Sequence, residues 1–361
     1  MHSCIAIIHI CAVIISQTVA FTNYIHTTQQ SSSKDHNFCL SSSSNEERVI
    51  GVVAPLKYVG RYACLELNFP HLTSKTLNFV LDTGASITSI SSKLAKQLQL
   101  PIVRKKEDLE LLGTAGAAGS FEAGDIVLLG NCTLGGMPAD YNQTFMYNMT
   151  AASIDLGIAT KVCAGLFGVP FFSSFGAVEF DWWGTDDDPP TIQFYYSKVL
   201  PAFALKNTKK IPLEESFFGI PQITININGH YLRAIIDTGS PITIMSVEAS
   251  EIIGVGCQSL SRDEQKYVKI KGIGDDSVDL IRTTCDFSIG TIKLKKMHVC
   301  VGDLPGIAMA SELSSVPCPQ LILGLDVLRS TYRMILSLQT NEVWFEQMPE
   351  KINNNKLKYY Q

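Results

Sequence analysis

Asn78-Phe79-Val80-Leu81-Asp82-Thr83-Gly84-Ala85-Ser86-Ile87-Thr88 returns 155 residues later as Arg233-Ala234-Ile235-Ile236-Asp237-Thr238-Gly239-Ser240-Pro241-Ile242-Thr243. Each copy runs apolar into an aspartate, turns at Thr-Gly and leaves through a small residue towards Ile-Thr. One Asp-Thr-Gly arises by chance in about one chain in ten of this length; two in matching contexts are strong evidence. A β-like run precedes each copy, Tyr62 to Phe69 and Ile223 to Asn228. Downstream landmarks repeat in the same order. Glycine-rich segments begin at Gly113 and Gly272, 31 and 35 residues after the aspartates. Leu166-Phe167-Gly168-Val169 and Ile322-Leu323-Gly324-Leu325 place their glycines 86 and 87 residues after them. This order implies two copies of one β-rich unit arranged as a pseudo-twofold pair, since a solenoid needs three or more repeats.

The rest of the chain frames that repeat. Of 361 residues, 46% are hydrophobic and 17% charged, which excludes a disordered or fibrous protein. A net charge of −5 argues against a nucleic-acid binder that works by phosphate neutralisation. No apolar run reaches the roughly 18 residues of a membrane helix. Residues 1–20 read as a secretory signal peptide: Cys4 to Ile15 is apolar apart from His9, and Thr18 and Ala20 sit three and one positions before a cleavage point. No stable membrane span is expected after its removal. Residues 21–48 are Ser-rich and form a presequence, propeptide or linker. Residues 49–205 are the N-terminal lobe, 206–349 the C-terminal lobe and 350–361 a tail, with an exposed connection expected from Leu200 to Glu215. The expected location is the secretory pathway: extracellular, vacuolar or another endomembrane lumen. Sequons at Asn131, Asn142 and Asn148 are glycosylation candidates there. Alternatively, Val19-Ala20-Phe21 resembles the join in two-part presequences that lead through the ER to a secondary plastid. Eight cysteines remain after the signal, a number that permits disulfides without fixing their pairing.

The repeated residue types suit one chemistry. An apolar strand delivers each aspartate to a buried turn, Thr can hydrogen-bond across to the other copy, and Gly lets the backbone turn close to a carboxylate. Two carboxylates meeting at a twofold axis cannot both ionise cheaply, so they share one proton. The ionised member can then deprotonate a water while the protonated member polarises a carbonyl.

These motifs resemble those of aspartic proteases built from two retropepsin-like lobes in one chain, within the pepsin and retropepsin superfamily. Leu81-Asp82-Thr83-Gly84-Ala85 is similar to the retropepsin active-site turn, and Ile236-Asp237-Thr238-Gly239-Ser240 fits retropepsins and pepsins. Leu321-Ile322-Leu323-Gly324-Leu325-Asp326-Val327-Leu328-Arg329 resembles the second signature of cellular retropepsin-like proteases, and Gly165-Leu166-Phe167-Gly168-Val169-Pro170 is its looser first-lobe counterpart. The resemblance covers roughly residues 58 to 346. It implies an all-β fold of two pseudo-twofold-related β-barrel lobes, with the active site in the cleft between them. Asp82 and Asp237 would be the catalytic pair of an aspartic endopeptidase, supported by Thr83, Gly84, Thr238, Gly239 and Ser240, with Gly168 and Gly324 packed behind the turns. Gly113 and Gly116, and Gly272, Ile273 and Gly274, would belong to flaps over a peptide or protein substrate. No metal or other cofactor is implied, and a monomer suffices because one chain supplies both aspartates. Relative to a minimal retropepsin lobe, Asp140 to Thr160 and Asp303 to Pro317 read as inserts.

Other chemistries fit poorly. No HExxH or GxSxG occurs, and the isolated histidines His71, His230 and His298 make no zinc-ligand pattern. Cys163 reads as a core thiol or half-cystine, and Trp182 and Trp183 as packing at the lobe base. The rival functions on the same fold are a peptide-binding protein without turnover and a latent zymogen.

Overall fold

The computed structural model describes residues 6–7 and 51–349, except 109–113, 116–120, 123, 139–140, 142, 158–162, 185–188, 215–216, 256–266, 272–276, 306 and 309–317. The architecture is all-β: two closed six-stranded barrels stand on a six-stranded sheet. In the first lobe the ring runs Tyr62–Asn68, Leu77–Leu81, Gly165–Phe167, Ser89–Ser91, Thr144–Ile154, Ile126–Leu134 and back to Tyr62–Asn68. In the second it runs Gln222–Ile227, His230–Ile236, Leu321–Leu323, Ile244–Met245, Ile292–Val301, Ser277–Ile289 and back to Gln222–Ile227. The senses match step by step. In each ring, the strand ahead of the aspartate pairs in parallel with the Gly165–Phe167 or Leu321–Leu323 strand. The short strand after the turn is antiparallel to that same strand and parallel to the long one. Identical order and sense in two barrels is the internal repeat expressed as structure.

Local chemistry explains the strands. Gln222–Ile227 alternates, with Ile223, Ile225 and Ile227 in the core. Asn228-Gly229, with φ of 49° and 93°, then makes the two-residue turn into His230–Ile236 that such a hairpin requires. In Leu77–Leu81 both faces are buried among apolar side chains, Phe79 and Leu81 in one cluster and Val80 in another with Cys64 and Leu166. Phe79, Phe167 and Phe171 form a fully buried stack, with ring centres 4.9 and 3.8 Å apart. One apolar cluster runs through both lobes.

One sequence expectation changes. Thr144–Ile154, inside the stretch read as an insert, is an eleven-residue barrel strand; its alternating small and polar residues hid it. The Leu200 to Glu215 connection contains the helix Ala202–Leu205 and the strand Thr208–Pro212, which pairs with Glu342–Glu346.

That last pairing belongs to the base sheet, whose order is Thr208–Pro212, Glu342–Glu346, Arg333–Ser337, Ala177–Asp181, Thr191–Tyr195, Gly51–Pro55. Each lobe gives three strands, and the lobes join where Ala177–Asp181 meets Arg333–Ser337 antiparallel. Side chains reinforce this seam. Arg333 Nη1 donates to Glu179 Oε1 at 2.8 Å, its Nε donates to Glu346 Oε2 at 2.9 Å, and Tyr195 Oη donates to Glu179 Oε2 at 2.5 Å. Trp183 Nε1 donates across the seam to the carbonyls of Arg329 and Thr331 at 2.8 and 3.1 Å. The Arg329 guanidinium lies over the Tyr58 ring at 4.2 Å from its centre. Trp182 and Trp183 are both buried in this base. Among the described residues no helix is long and apolar enough to cross a membrane, and no disulfide is formed. Asn131 and Asn148 are exposed neighbours, Asn131 Oδ1 accepting from Asn148 N at 3.0 Å; Asn142 lies outside the described residues.

Arg333→Ala leaves Glu179 and Glu346 buried without their cation. The expected loss is about 3–5 kcal/mol of unfolding free energy, measured as a lower urea midpoint. An unchanged midpoint would show that the seam does not depend on this arginine.

Candidate active site

Asp82 and Asp237 sit at the ends of Leu77–Leu81 and His230–Ile236, held by the parallel neighbours of those strands. Asp82 N donates to Phe167 O at 2.9 Å and Asp237 N to Leu323 O at 3.1 Å. Each turn then closes on itself: Ala85 N donates to Asp82 O at 3.2 Å and Ser240 N to Asp237 O at 3.3 Å. Behind each turn a glycine allows a close backbone approach. A Cβ on Gly168 would lie 2.3 Å from Ile87 O, and one on Gly324 would lie 2.3 Å from Ile242 O. Val169 N therefore reaches Ala85 O at 2.7 Å, and Leu325 N reaches Ser240 O at 2.8 Å.

The two turns interlock. Thr83 Oγ1 donates to Ile236 O at 2.7 Å and accepts from Thr238 N at 3.0 Å. Thr238 Oγ1 donates to Leu81 O at 2.6 Å and accepts from Thr83 N at 3.1 Å. All four bonds are buried and cross between lobes. Gly84 and Gly239 bring the carboxyls in: a Cβ on Gly84 would fall 2.5 Å from Asp237 Cγ, and one on Gly239 would fall 2.2 Å from Asp82 Cγ. Each carboxyl thus lies against the other lobe's glycine, and neither glycine can be replaced without displacing it.

Both aspartates are fully buried. Asp82 Oδ1 accepts from Gly84 N at 3.0 Å, whereas Asp237 Oδ1 accepts from both Gly239 N and Ser240 N at 2.9 Å. The remaining oxygen of each, Oδ2, is buried with no donor from the protein. A carboxyl pair in this setting resolves the conflict by retaining a proton between its members; the shared proton of aspartic proteases is the established instance of that effect. Burial raises Asp82 well above the ordinary carboxylate range, and the charge of Asp237 raises it further. Burial also pushes Asp237 up to about 7, against the lowering effect of the Ser240 and Gly239 N–H groups. Asp237 thus receives one more backbone N–H than Asp82, a setting more favourable to negative charge.

A residue that motif reading passed over supports the second turn alone. Asp326 Oδ1 accepts from Thr243 Oγ1 at 2.6 Å and from Val327 N at 2.8 Å, and Oδ2 accepts from Thr243 N at 3.1 Å. Thr243 Oγ1 in turn accepts from Gly324 N at 3.0 Å. Thr88 accepts from Gly168 N at 3.3 Å in the first lobe, but Pro170 stands where Asp326 would be. The signal was present as Asp326 following Gly324-Leu325, but only the fold shows its partner. Cys163 is buried, and burial together with the nearby charge of Asp82 pushes its thiol up to about 12, so it is no nucleophile at neutral pH. The flap candidates Gly113, Gly116, Gly272, Ile273 and Gly274 lie outside the described residues. Among the described residues, no group of three His, Cys, Asp or Glu is placed to hold a metal ion.

Residues 71–171 match the family model described as Aspartyl protease, a stretch that holds the first Asp-Thr-Gly turn and Gly168. The resemblance to aspartic proteases read from the motifs is thereby shown, and the two barrels accord with its two lobes. The crystal structure of basic 7S globulin from soybean is similar at 11% identity, covering 85% of this chain and 97% of that one, with a TM-score of 0.49. No curated protein matches the chain in sequence.

Thr83→Val removes a hydroxyl that donates once and accepts once, stranding Ile236 O and Thr238 N in the interior. The expected cost is about 1–3 kcal/mol for each stranded group. Thr83→Val combined with Thr238→Val should cost less than the sum of the single changes, because both act on one network. Additive losses in urea unfolding would show that the turns are held independently.

The raised carboxyls also set a pH dependence. Their folded pKa values exceed the unfolded value of about 3.9, so between that value and about 7 the folded state binds more protons than the unfolded one. Their contribution is most favourable below pH ~4 and is lost as pH rises towards 7. Asp237→Asn should therefore melt above wild type at pH 7, the gap closing as pH falls to 4. A gap that widened on acidification would mean that the pair is not protonated as described.

Proposed function

We propose that this chain is an aspartic endopeptidase that hydrolyses peptide bonds with a water activated between Asp82 and Asp237. One observation carries the reading: two fully buried carboxyls, each against the other lobe's glycine, each with an oxygen that finds no donor in the protein. Such groups are costly to keep unless they are used. Match of the first lobe to the aspartyl protease family supports it.

In this reading the charged Asp237 takes a proton from the water as its oxygen attacks the scissile carbonyl carbon. Asp82 gives its proton to the carbonyl oxygen, yielding a neutral tetrahedral diol. Collapse of the diol moves a proton to the leaving nitrogen and restores the shared proton, with no covalent intermediate. The threonine exchange keeps the two carboxyls from drifting apart through the cycle. The substrate is an extended peptide lying between the lobes.

The test is a peptide-library digest with the chain starting at Glu47, scanned from acidic to neutral pH. Cleavage should peak where the pair holds one proton and fall on either side. Asp82→Asn and Asp237→Asn should each lower it by at least ~10³-fold. Turnover surviving either substitution, or no turnover by folded wild type at any pH, would overturn the mechanism.

A further inference from the structure

The link between the lobes carries a surface that peptide hydrolysis does not use. From Lys198 to Lys210 the only charged side chains are lysines, Lys198, Lys206, Lys209 and Lys210, in a chain of net charge −5. All four are exposed, and only Lys210 has an acidic partner among the described residues, Glu342 at 2.8 Å. Among them Val199 and Phe203 stand out of the surface, 78% and 56% exposed. They do not belong to a loose loop. The helix Ala202–Leu205 is anchored by Ala204, which packs in a buried cluster with Ala177, Tyr195, Ile335 and Trp344. Arg333 Nη2 donates to Lys206 O at 3.3 Å. Beside Val199 opens a hollow of about 460 Å³, with Leu200, Leu205 and Trp344 in its lining and Lys198 and Lys210 among its polar groups.

Part of this has a plain structural account. Thr208–Pro212 is the outer strand of the base sheet, and lysines and proline there discourage a foreign strand from adding on. That explains Lys209, Lys210 and Pro212. It does not explain why two large apolar side chains project from a fixed turn, or why Lys198 and Lys206 flank them.

We propose that this face docks the protein on an anionic bilayer surface, with Val199 and Phe203 entering the interface and the lysines meeting lipid headgroups. Charge complementarity names the sign of the partner. The shape names its kind: side chains that project this far suit a fluid phase that closes around them, whereas a folded partner would need hollows already placed to receive them. Apolar insertion combined with a basic patch is the pair of signals that gives useful but reversible attachment. No residue of the face belongs to the turns that bear Asp82 and Asp237.

The test is co-sedimentation of the chain with vesicles of phosphatidylcholine alone and of phosphatidylcholine mixed with phosphatidylserine. Binding to the mixed vesicles should exceed binding to the neutral ones by at least ~10-fold and weaken at high salt. Lys198→Glu with Lys206→Glu should remove that preference. Val199→Ser with Phe203→Ser should lower binding to the mixed vesicles by about 10-fold. All four substitutions lie on the surface, so circular dichroism and any peptide cleavage should be unchanged, and the outcome does not depend on the proposed activity. Binding to neither vesicle, equal binding to both, or undiminished binding by the Val199/Phe203 variant would overturn the proposal. So would capture by an immobilised acidic peptide without vesicle binding, which would identify a protein partner instead.

Discussion

Two threonine side chains, each satisfying backbone groups of the opposite lobe, are the constraint on which the rest of the site depends. Thr83 and Thr238 leave no freedom for one turn to slide past the other, because each hydroxyl is used both as donor and as acceptor. The glycines that follow put each carboxyl where the partner lobe's main chain would otherwise collide with a side chain. The electrostatic tension between the aspartates is thus imposed by hydrogen bonds and sterics that are themselves uncharged. The fold can hold two acids together in its interior because the geometry is fixed by groups that do not titrate.

The interlock would be weak if the lobes met only there. The base sheet makes them one body, with three strands from each lobe and a seam where Ala177–Asp181 runs against Arg333–Ser337. The seam carries an arginine that answers one glutamate from each lobe, and a tryptophan of the first lobe that reaches two carbonyls of the second. Barrels, turns and base obey the same twofold relation, whereas Asp326 does not. Its place in the first lobe is taken by Pro170, which has neither an acceptor side chain nor an N–H. With the extra N–H from Ser240 on Asp237, this makes the second turn the better braced of the two and gives its aspartate the setting richer in N–H donors.

Much of this was legible in the sequence because the repeat concerns residues whose types are dictated by contact. Asp, Thr and Gly at the turns and the glycines at 168 and 324 admit few substitutes, so the eye finds them at matching offsets. The long barrel strands were harder. Thr144–Ile154 is strung with Thr, Asn and Ala, and only its pairing with Ile126–Leu134 reveals which face is inward. The base sheet was not legible at all, since its order interleaves segments more than a hundred residues apart. Asp326 was in view within a recognised motif, but its role depends on Thr243, distant in sequence and brought close by the antiparallel pairing of Ile244–Met245 with Leu321–Leu323.

The base sheet has a consequence for how the chain comes into being. Ribosomes add about 5–20 residues per second, and the two aspartates lie 155 residues apart. The first turn is therefore made roughly 10–30 seconds before its counterpart. Until the second arrives Thr83 has no partner turn, and Ala177–Asp181, once made, is an open sheet edge. The strand that finally covers that edge, Arg333–Ser337, comes from the last stretch of the molecule to be made. The nascent protein thus carries an open sheet edge through most of the synthesis of its second lobe and loses it only near completion.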